Sequence, residues 1–296
     1  MILEGKQLDT LLEAALNAGR KASAYIQSKV DNNYVKQIKD GGDSIASQIV
    51  TEIDVIAQQI IVEILHPSII QYDIGLLTEE SVDDHSRFTK DYFWCIDPID
   101  GTLPFTERRH GYAVSIALID KSGAPVIGVA AIPDKGDIYH AIKGQGLYKN
   151  GQPFHNTTYN NNTLSAYLGN SMDGKDYFQM VMKGLEEYAQ LEGLQLEQVP
   201  GYGGVVNHIY ILEKGCGCFF KLPKSYDSCG GIWDYGATRL FFEEAGAYVS
   251  DAQGDVLNLN RSNSTYMNQH GVIYASDSAL AQCIIALNKN YQANNQ

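Results

Sequence analysis

The sequence predicts an α+β first half followed by an α/β second half, and three features carry that prediction. The runs FWCI, YAVSIALI, PVIGVAAI, DIYHAI and GLYKNGQPF crowd together and read as strands of a largely antiparallel sheet. Beyond Leu164, strand-like and helix-like segments alternate, the pattern of a sheet covered on both faces. Between them lies the polar, Asn-rich segment HNTTYNNNTL, His155 to Leu164, which marks a domain junction. The expected division is therefore residues 1–155 and 156–296.

The elements follow in order. Leu8, Leu11, Leu12, Ala15, Leu16, Ala22 and Ile26 recur at helical spacing, so the chain opens with a long amphipathic helix. Gly19 falls on that stripe, where it weakens the helix slightly but permits close packing. A second helix follows Thr51, with Ile53, Ile56, Ile60, Ile61 and Ile64 on one face. Asn150-Gly151 is a strong hairpin signal. In the second half come a strand (LSAYLG), a helix from Tyr177 to Ala189, a strand around LQLEQV, a helix (VVNHIYILEKG) and a strand (CFFKL). A helix from Trp233 to Ala245, the strands AYVS and GVIYAS, and a last helix from Asp277 complete it.

Composition narrows the class. At 296 residues, 44% hydrophobic and 19% charged, the chain has the make-up of a soluble globular protein with a substantial core. A net charge of −13 argues against a nucleic-acid or anionic-membrane surface, since both need clustered Lys and Arg. A small anionic substrate stays compatible, because a bound cation reverses the local sign. Five cysteines without a CxxC pair point to a reducing compartment, and the expected location is cytoplasmic. The N-terminus shows no signal pattern, and no apolar run is expected to reach the roughly 18 residues of a membrane span.

Four acidic features stand apart from this background: Asp54 in SQIVTEID, Glu79-Glu80 in LLTEES, Asp97 and Asp100 in WCIDPIDGT, and Asp234 in IWDYGA. Each has an ordinary explanation, since acids favour helix N-termini and Asp-Gly is common turn chemistry. DPIDGT is the hardest to explain that way. Pro98 fixes the chain between two aspartates that end an apolar strand, Gly101 allows close backbone approach, and Thr102 can start a helix. Together these make oxygen ligands for a hard cation such as Mg²⁺ beside backbone N–H groups suited to phosphate.

Asp54, Glu79-Glu80, Asp97-Pro98-Ile99-Asp100-Gly101-Thr102 and Trp233-Asp234-x-x-Ala237 occur in the order seen in the lithium-sensitive, magnesium-dependent phosphatases, and the sequence resembles that superfamily from about Ile49 to Asp251. It includes inositol monophosphatase, 3'(2'),5'-bisphosphate nucleotidase and fructose-1,6-bisphosphatase. The resemblance implies an αβαβα layered sandwich of the sugar-phosphatase type and hydrolysis by metal-activated water. It implies that Glu79, Asp97 and the Ile99 carbonyl hold one Mg²⁺, and that Asp97, Asp100 and Asp234 hold a second. A third, weaker ion near Glu79 is also a family habit. Asp54 and Thr102, with Glu79, would be catalytic, and Gly101 and Thr102 would offer backbone N–H groups to the phosphate. Trp233 reads as packing that positions Asp234. Relatives are commonly dimers, so a homodimer is one expected assembly, and the expected partner is a small phosphorylated substrate.

Substrate choice divides the motifs. Asp227, seven residues before Asp234, falls where inositol monophosphatases place an acid for substrate hydroxyls, and makes inositol monophosphate the first expectation. GYGGVVNH, with Gly203 and Gly204, and KLPKSYDSCGGIWD resemble the bisphosphate nucleotidases, which makes 3'-phosphoadenosine 5'-phosphate the alternative. Lys221 and Lys224 could meet a second phosphate or lie in solvent, and Arg108 and Arg109 could steer anions or form a charged loop. A non-catalytic binding protein on the same scaffold is the reading from another class.

Overall fold

The computed structural model describes residues 2–31, 36–38, 49–155, 162–168, 177–199 and 201–294. Helices α1 (Lys6–Gln27) and α2 (Glu52–Tyr72) lie side by side on the outer face of a seven-stranded sheet. A separate antiparallel pair, β1 (Lys36–Ile38) and β2 (Ile49–Thr51), leads into α2. The large sheet holds β3 (Gly75–Thr78), β4 (Tyr92–Asp100), β5 (Ala113–Asp120), β6 (Pro125–Ile132), β7 (Asp137–Ile142), β8 (Leu147–Lys149) and β9 (Gln152–Pro153) in that spatial order. Only β3 and β4 pair in parallel; the other neighbours are antiparallel, as the crowded strands predicted. Asn150 and Gly151 turn β8 into β9 with φ of 52° and 76°, the left-handed pair that a two-residue type I′ hairpin requires.

Past the short helix α3 (Thr102–Thr106) and the junction, a five-stranded mixed sheet is built from β10 (Thr163–Tyr167), β11 (Gln195–Val199), β12 (Gly217–Lys221), β13 (Tyr248–Ser250) and β14 (Val272–Ala275), in the order β11-β10-β12-β14-β13. Part of the polar junction, residues 156–161, lies outside the described residues. Helices α4 (Phe178–Leu191) and α7 (Ser278–Asn294) cover one face of this sheet. Helices α5 (Gly204–Lys214) and α6 (Gly236–Ala245) fill the space between the two sheets.

Strand alternation explains the stacking. On β4, Trp94 and Ile96 point to the α1/α2 core while Phe93 and Cys95 point to the middle layer, so the strand is apolar on both faces. On β12, Phe219 joins the middle-layer core and Phe220 the outer one. The layers therefore run helix, sheet, helix, sheet, helix, as the resemblance implied. The middle contact is tight because the residues are small. A Cβ on Gly128 of β6 would sit 2.9 Å from the Ala237 carbonyl oxygen, and one on Gly236 would sit 2.9 Å from Ala117 Cβ.

Three sequence expectations change. The buried stripe of α2 is Ile53, Asp54, Ala57, Gln58, Ile61, Leu65 and Ser68, whereas Ile56 is exposed and Ile60 and Ile64 are half-buried. Two polar side chains replace isoleucines on the buried face because they serve the site described below. Glu52–Tyr72 is also long and apolar enough to cross a membrane by length and composition, against the expectation of no such run, yet its buried face packs on the sheet. Finally, Trp233 and Asp234 stand on a 3₁₀ turn, Ile232–Asp234, just before α6 rather than inside it. Tyr235 closes that turn onto Ile232 and donates its hydroxyl to the Cys229 carbonyl.

Gly128→Val keeps good strand propensity but forces α6 off β6. It is expected to cost about 1–3 kcal/mol of stability, measured by urea unfolding; an unchanged midpoint would show that the helix does not need this approach.

Candidate active site

Residues three apart on a regular strand point to opposite faces, so Asp97 and Asp100 could not converge if β4 ran true. It does not: the β4–β5 register is broken between Asp97, opposite Ser115, and Asp100, opposite Ala113. That irregularity, with Pro98 inside it, re-aims both acids. Carboxylate oxygens of Asp97, Asp100 and Asp234 all lie within 4.8 Å of one another. Asp234 is delivered from the other side. Ser115 Oγ donates to the Trp233 carbonyl at 3.1 Å, which ties the 3₁₀ turn to β5 beside Asp97 through the backbone rather than through the Trp233 side chain.

Glu79 reaches the same place through parallel pairing. Thr78 sits opposite Ile96, and Glu79 N–H donates to the Ile96 carbonyl at 3.1 Å. The loop is held from α2, since Gln58 accepts from Glu80 N–H at 3.0 Å and donates to Ser81 Oγ at 2.7 Å. Gln58 was missed in the sequence; its signal was a polar residue one turn after Asp54 on an otherwise apolar helix face.

Asp54 does both jobs open to it. It closes a capping box at the start of α2, where Oδ2 accepts from Thr51 N–H at 2.9 Å and from Thr51 Oγ1 at 2.6 Å. Its Oδ1 faces Thr102 Oγ1 at 3.2 Å, and that hydroxyl also lies 3.1 Å from the Ile99 carbonyl. Asp54 and Thr102 thus form a buried, oriented pair next to the three aspartates.

The glycines form a backbone seam. Gly101, at φ 89°, has no room for a Cβ, which would lie 2.7 Å from the Gly111 carbonyl oxygen and 3.1 Å from Gly203 Cα. Gly203 N–H donates to that same carbonyl at 2.7 Å. Gly204 and Val205 N–H donate to Asp100 Oδ1 and Oδ2 at 2.9 and 2.7 Å, so Asp100 caps α5 from the neighbouring sheet. The N–H groups of Gly203 and Gly204 are thus engaged inside the protein. Asp227 is exposed on the loop after β12, Arg109 pairs with Glu107 at 2.6 Å, and Arg108 Nη2 reaches the Asp31 carbonyl at 3.4 Å.

The electrostatics of the cluster are unfavourable as it stands. Burial, then the charges of Glu79, Asp100 and Asp234, hold Asp97 well above the ordinary carboxylate range. Burial pushes Asp100 up to about 6 against the pull of the Val205 and Gly204 N–H groups, and burial with the Asp100 charge pushes Asp234 up to about 7. Asp97, Asp100 and Asp234 make no ion pair among the described residues. Crowded, desolvated oxygen donors of this kind fit a hard divalent cation such as Mg²⁺.

A family model for the inositol monophosphatase family matches residues 7–293. The chain belongs to the inositol monophosphatase family. It is 27% identical over 272 residues to a 3'(2'),5'-bisphosphate nucleotidase CysQ of Aggregatibacter actinomycetemcomitans, covering 89% of this chain and 91% of the relative. It is also 27% identical over 252 residues to the Nus factor SuhB of Escherichia coli K12, covering 82% and 86%. Among solved structures, the suhB protein of Bartonella henselae superposes with a TM-score of 0.71 at 20% identity, over 95% and 98% of the two chains. An IMPase of Thermotoga maritima gives 0.70 at 21%, over 98% and 99%. These structures share the layered fold, and the phosphatase chemistry follows from the family.

The raised acids make metal-free stability depend on pH. Their folded pKa values lie above the ordinary 3.8, so the folded state holds protons that the unfolded chain releases. That stability is full below about pH 4 and is lost as pH rises through about 6 and 7. The metal-free protein should therefore show a fall in Tm from pH 5 to pH 8, smaller in Asp234→Asn and reversed at pH 8 by adding Mg²⁺. A fall of the same size in Asp234→Asn would remove this residue as its source.

Proposed function

We propose that this family member is a Mg²⁺-dependent, lithium-sensitive phosphomonoesterase that hydrolyses a small phosphorylated metabolite with water as the nucleophile. One observation carries the proposal: three aspartates from two separate elements converge without an ion pair among the described residues, directly beside the Asp54–Thr102 pair. Glu79, Asp97 and the Ile99 carbonyl would hold one ion, Asp97, Asp100 and Asp234 a second, and the region of Glu79 a third where one is used. Magnesium bound there supplies a Lewis acid that offsets phosphoryl charge and acidifies water.

The chain's own residues do the rest. Thr102 Oγ1, donating to Asp54 Oδ1, leaves its lone pairs to accept a hydrogen bond from the attacking water. Thr51 fixes the other oxygen of Asp54, so the pair cannot swing away. Gly101 permits the close backbone approach that a phosphate needs. No covalent enzyme nucleophile is required.

Of the two substrates, inositol monophosphate rests on Asp227, which is exposed, whereas the nucleoside bisphosphate gains support from the nucleotidase relative. The Nus factor name carried by the SuhB relatives keeps a non-catalytic binding protein as the second class of reading. The presence of every metal acid favours catalysis over it. A cytoplasmic location agrees with the five free cysteines, and a small-molecule rather than nucleic-acid partner agrees with the charge of −13.

Phosphate release should require Mg²⁺ and fall with Li⁺ across inositol 1-phosphate, 3'-phosphoadenosine 5'-phosphate and fructose 1,6-bisphosphate. Mg²⁺ binding without any release from this panel would instead favour the binding protein. Asp97→Asn or Asp234→Asn should nearly abolish turnover with the fold intact by circular dichroism. Thr102→Ala should lower kcat by about 10²–10⁴, the scale of lost proton-transfer assistance, with a much smaller change in Mg²⁺ affinity by calorimetry; an unchanged kcat would remove Thr102 from this role.

A further inference from the structure

Two of the aspartates are held by different helices. Asp100 is gripped by the first turn of α5, and Asp234 stands on the turn that leads into α6. His208 lies one turn after Gly204 on α5, on the same face of the helix. A Cβ on Gly204 would sit 3.7 Å from Asp100 Oδ1 and 3.8 Å from His208 Cε1, so the imidazole stands directly behind the turn that grips Asp100. On its other side, His208 Nδ1 meets Thr238 Oγ1 of α6 at 2.9 Å.

Apart from that contact, the imidazole sits in an aromatic box. It is fully buried and stacks on Tyr274 of β14, with 3.8 Å between ring centroids and 10° between planes, while Phe219 and Phe242 meet it edge-on. Burial pushes its pKa well below the ordinary histidine range, so the ring is neutral and carries a single N–H. Nε2 is buried and has no partner among the described residues. Only with the hydrogen on Nδ1 is no buried donor left unpaired, so His208 donates to Thr238. The Thr238 hydroxyl then keeps its own hydrogen, and Oγ1 lies 3.5 Å from the carbonyl of Tyr235, the residue after Asp234. The Tyr274 hydroxyl approaches the same carbonyl at 3.4 Å. A continuous path therefore runs from Asp100 through Gly204, His208 and Thr238 to the backbone beside Asp234.

We propose that the His208–Thr238 hydrogen bond is a positioning element of the metal site, fixing the separation of Asp100 and Asp234 and so setting the affinity for the ion these two acids would share. Buried carboxylates repel one another, and carriers free to separate would let them spread. A link between the carriers holds the acids at their spacing from folding onward, so that a cation finds its oxygens already in place. Neither His208 nor Thr238 needs to touch the ion or the substrate. The inference rests on the metal assignment proposed above and adds the residues that maintain its geometry.

The test measures Mg²⁺ affinity of the full-length protein by calorimetry, with Tm alongside. Thr238→Val and His208→Phe preserve much of the packing but remove the bond, and each should weaken Mg²⁺ binding about three- to tenfold, the scale of one hydrogen bond. Thr238→Ser keeps the hydroxyl and should bind Mg²⁺ as the wild type does. The double variant should bind no more weakly than the weaker single one, because both changes break the same bond. Activity gives a second readout: the Mg²⁺ concentration for half-maximal phosphate release should rise in the variants, with kcat largely recovered at saturating Mg²⁺. A lower Tm with unchanged Mg²⁺ affinity would mean that the pair only packs the core, and the proposal falls. Additive losses in the double variant would overturn it equally. Should one single variant fail to fold, the other decides. Wild-type protein that binds no Mg²⁺ would be a different result, overturning the metal assignment and this proposal with it.

Discussion

Mutual repulsion among buried carboxylates is the constraint on which the rest of this structure depends. Asp97 and Asp100 are almost fully buried and Asp234 is half-buried, at distances where at most a fraction of their charge is tolerable without a cation. The fold spends much of its precision on holding them there. The broken register of β4 aims two of them, Ser115 holds the turn that carries the third, and the Gln58 clamp fixes the loop that carries Glu79. None of these contacts compensates the charge. They only prevent the acids from separating, which makes sense if the compensating charge comes from outside the chain.

The glycine seam explains why the two sheets cannot slide independently around this cluster. Gly101, Gly111 and Gly203 bring three backbone segments into direct contact, and Asp100 spans the same gap by capping α5. Asp100 therefore couples the end of β4 to the first turn of a helix packed under the second sheet. The close approach of α6 through Gly128 and Gly236 sets the matching distance for Asp234. Site geometry and interlayer packing are thus one problem solved by the same small residues.

Much of this was legible in the sequence, and the reasons differ by element. The strands of the large sheet were readable because their apolar runs are bounded by turn residues, and Asn150-Gly151 left little choice of turn. The acids were readable because DPIDGT breaks the rule that buried strands avoid carboxylates. The α2 stripe was misjudged because isoleucine content was followed where periodicity should have admitted Asp54 and Gln58 as buried polar residues. The 3₁₀ turn at Asp234 was invisible because helical periodicity cannot separate a 3₁₀ turn from the α-helix that follows it. Gly111 and Ser115 were out of reach for another reason. Their roles exist only through contacts with residues about 90 and 118 positions away, and no local pattern encodes those.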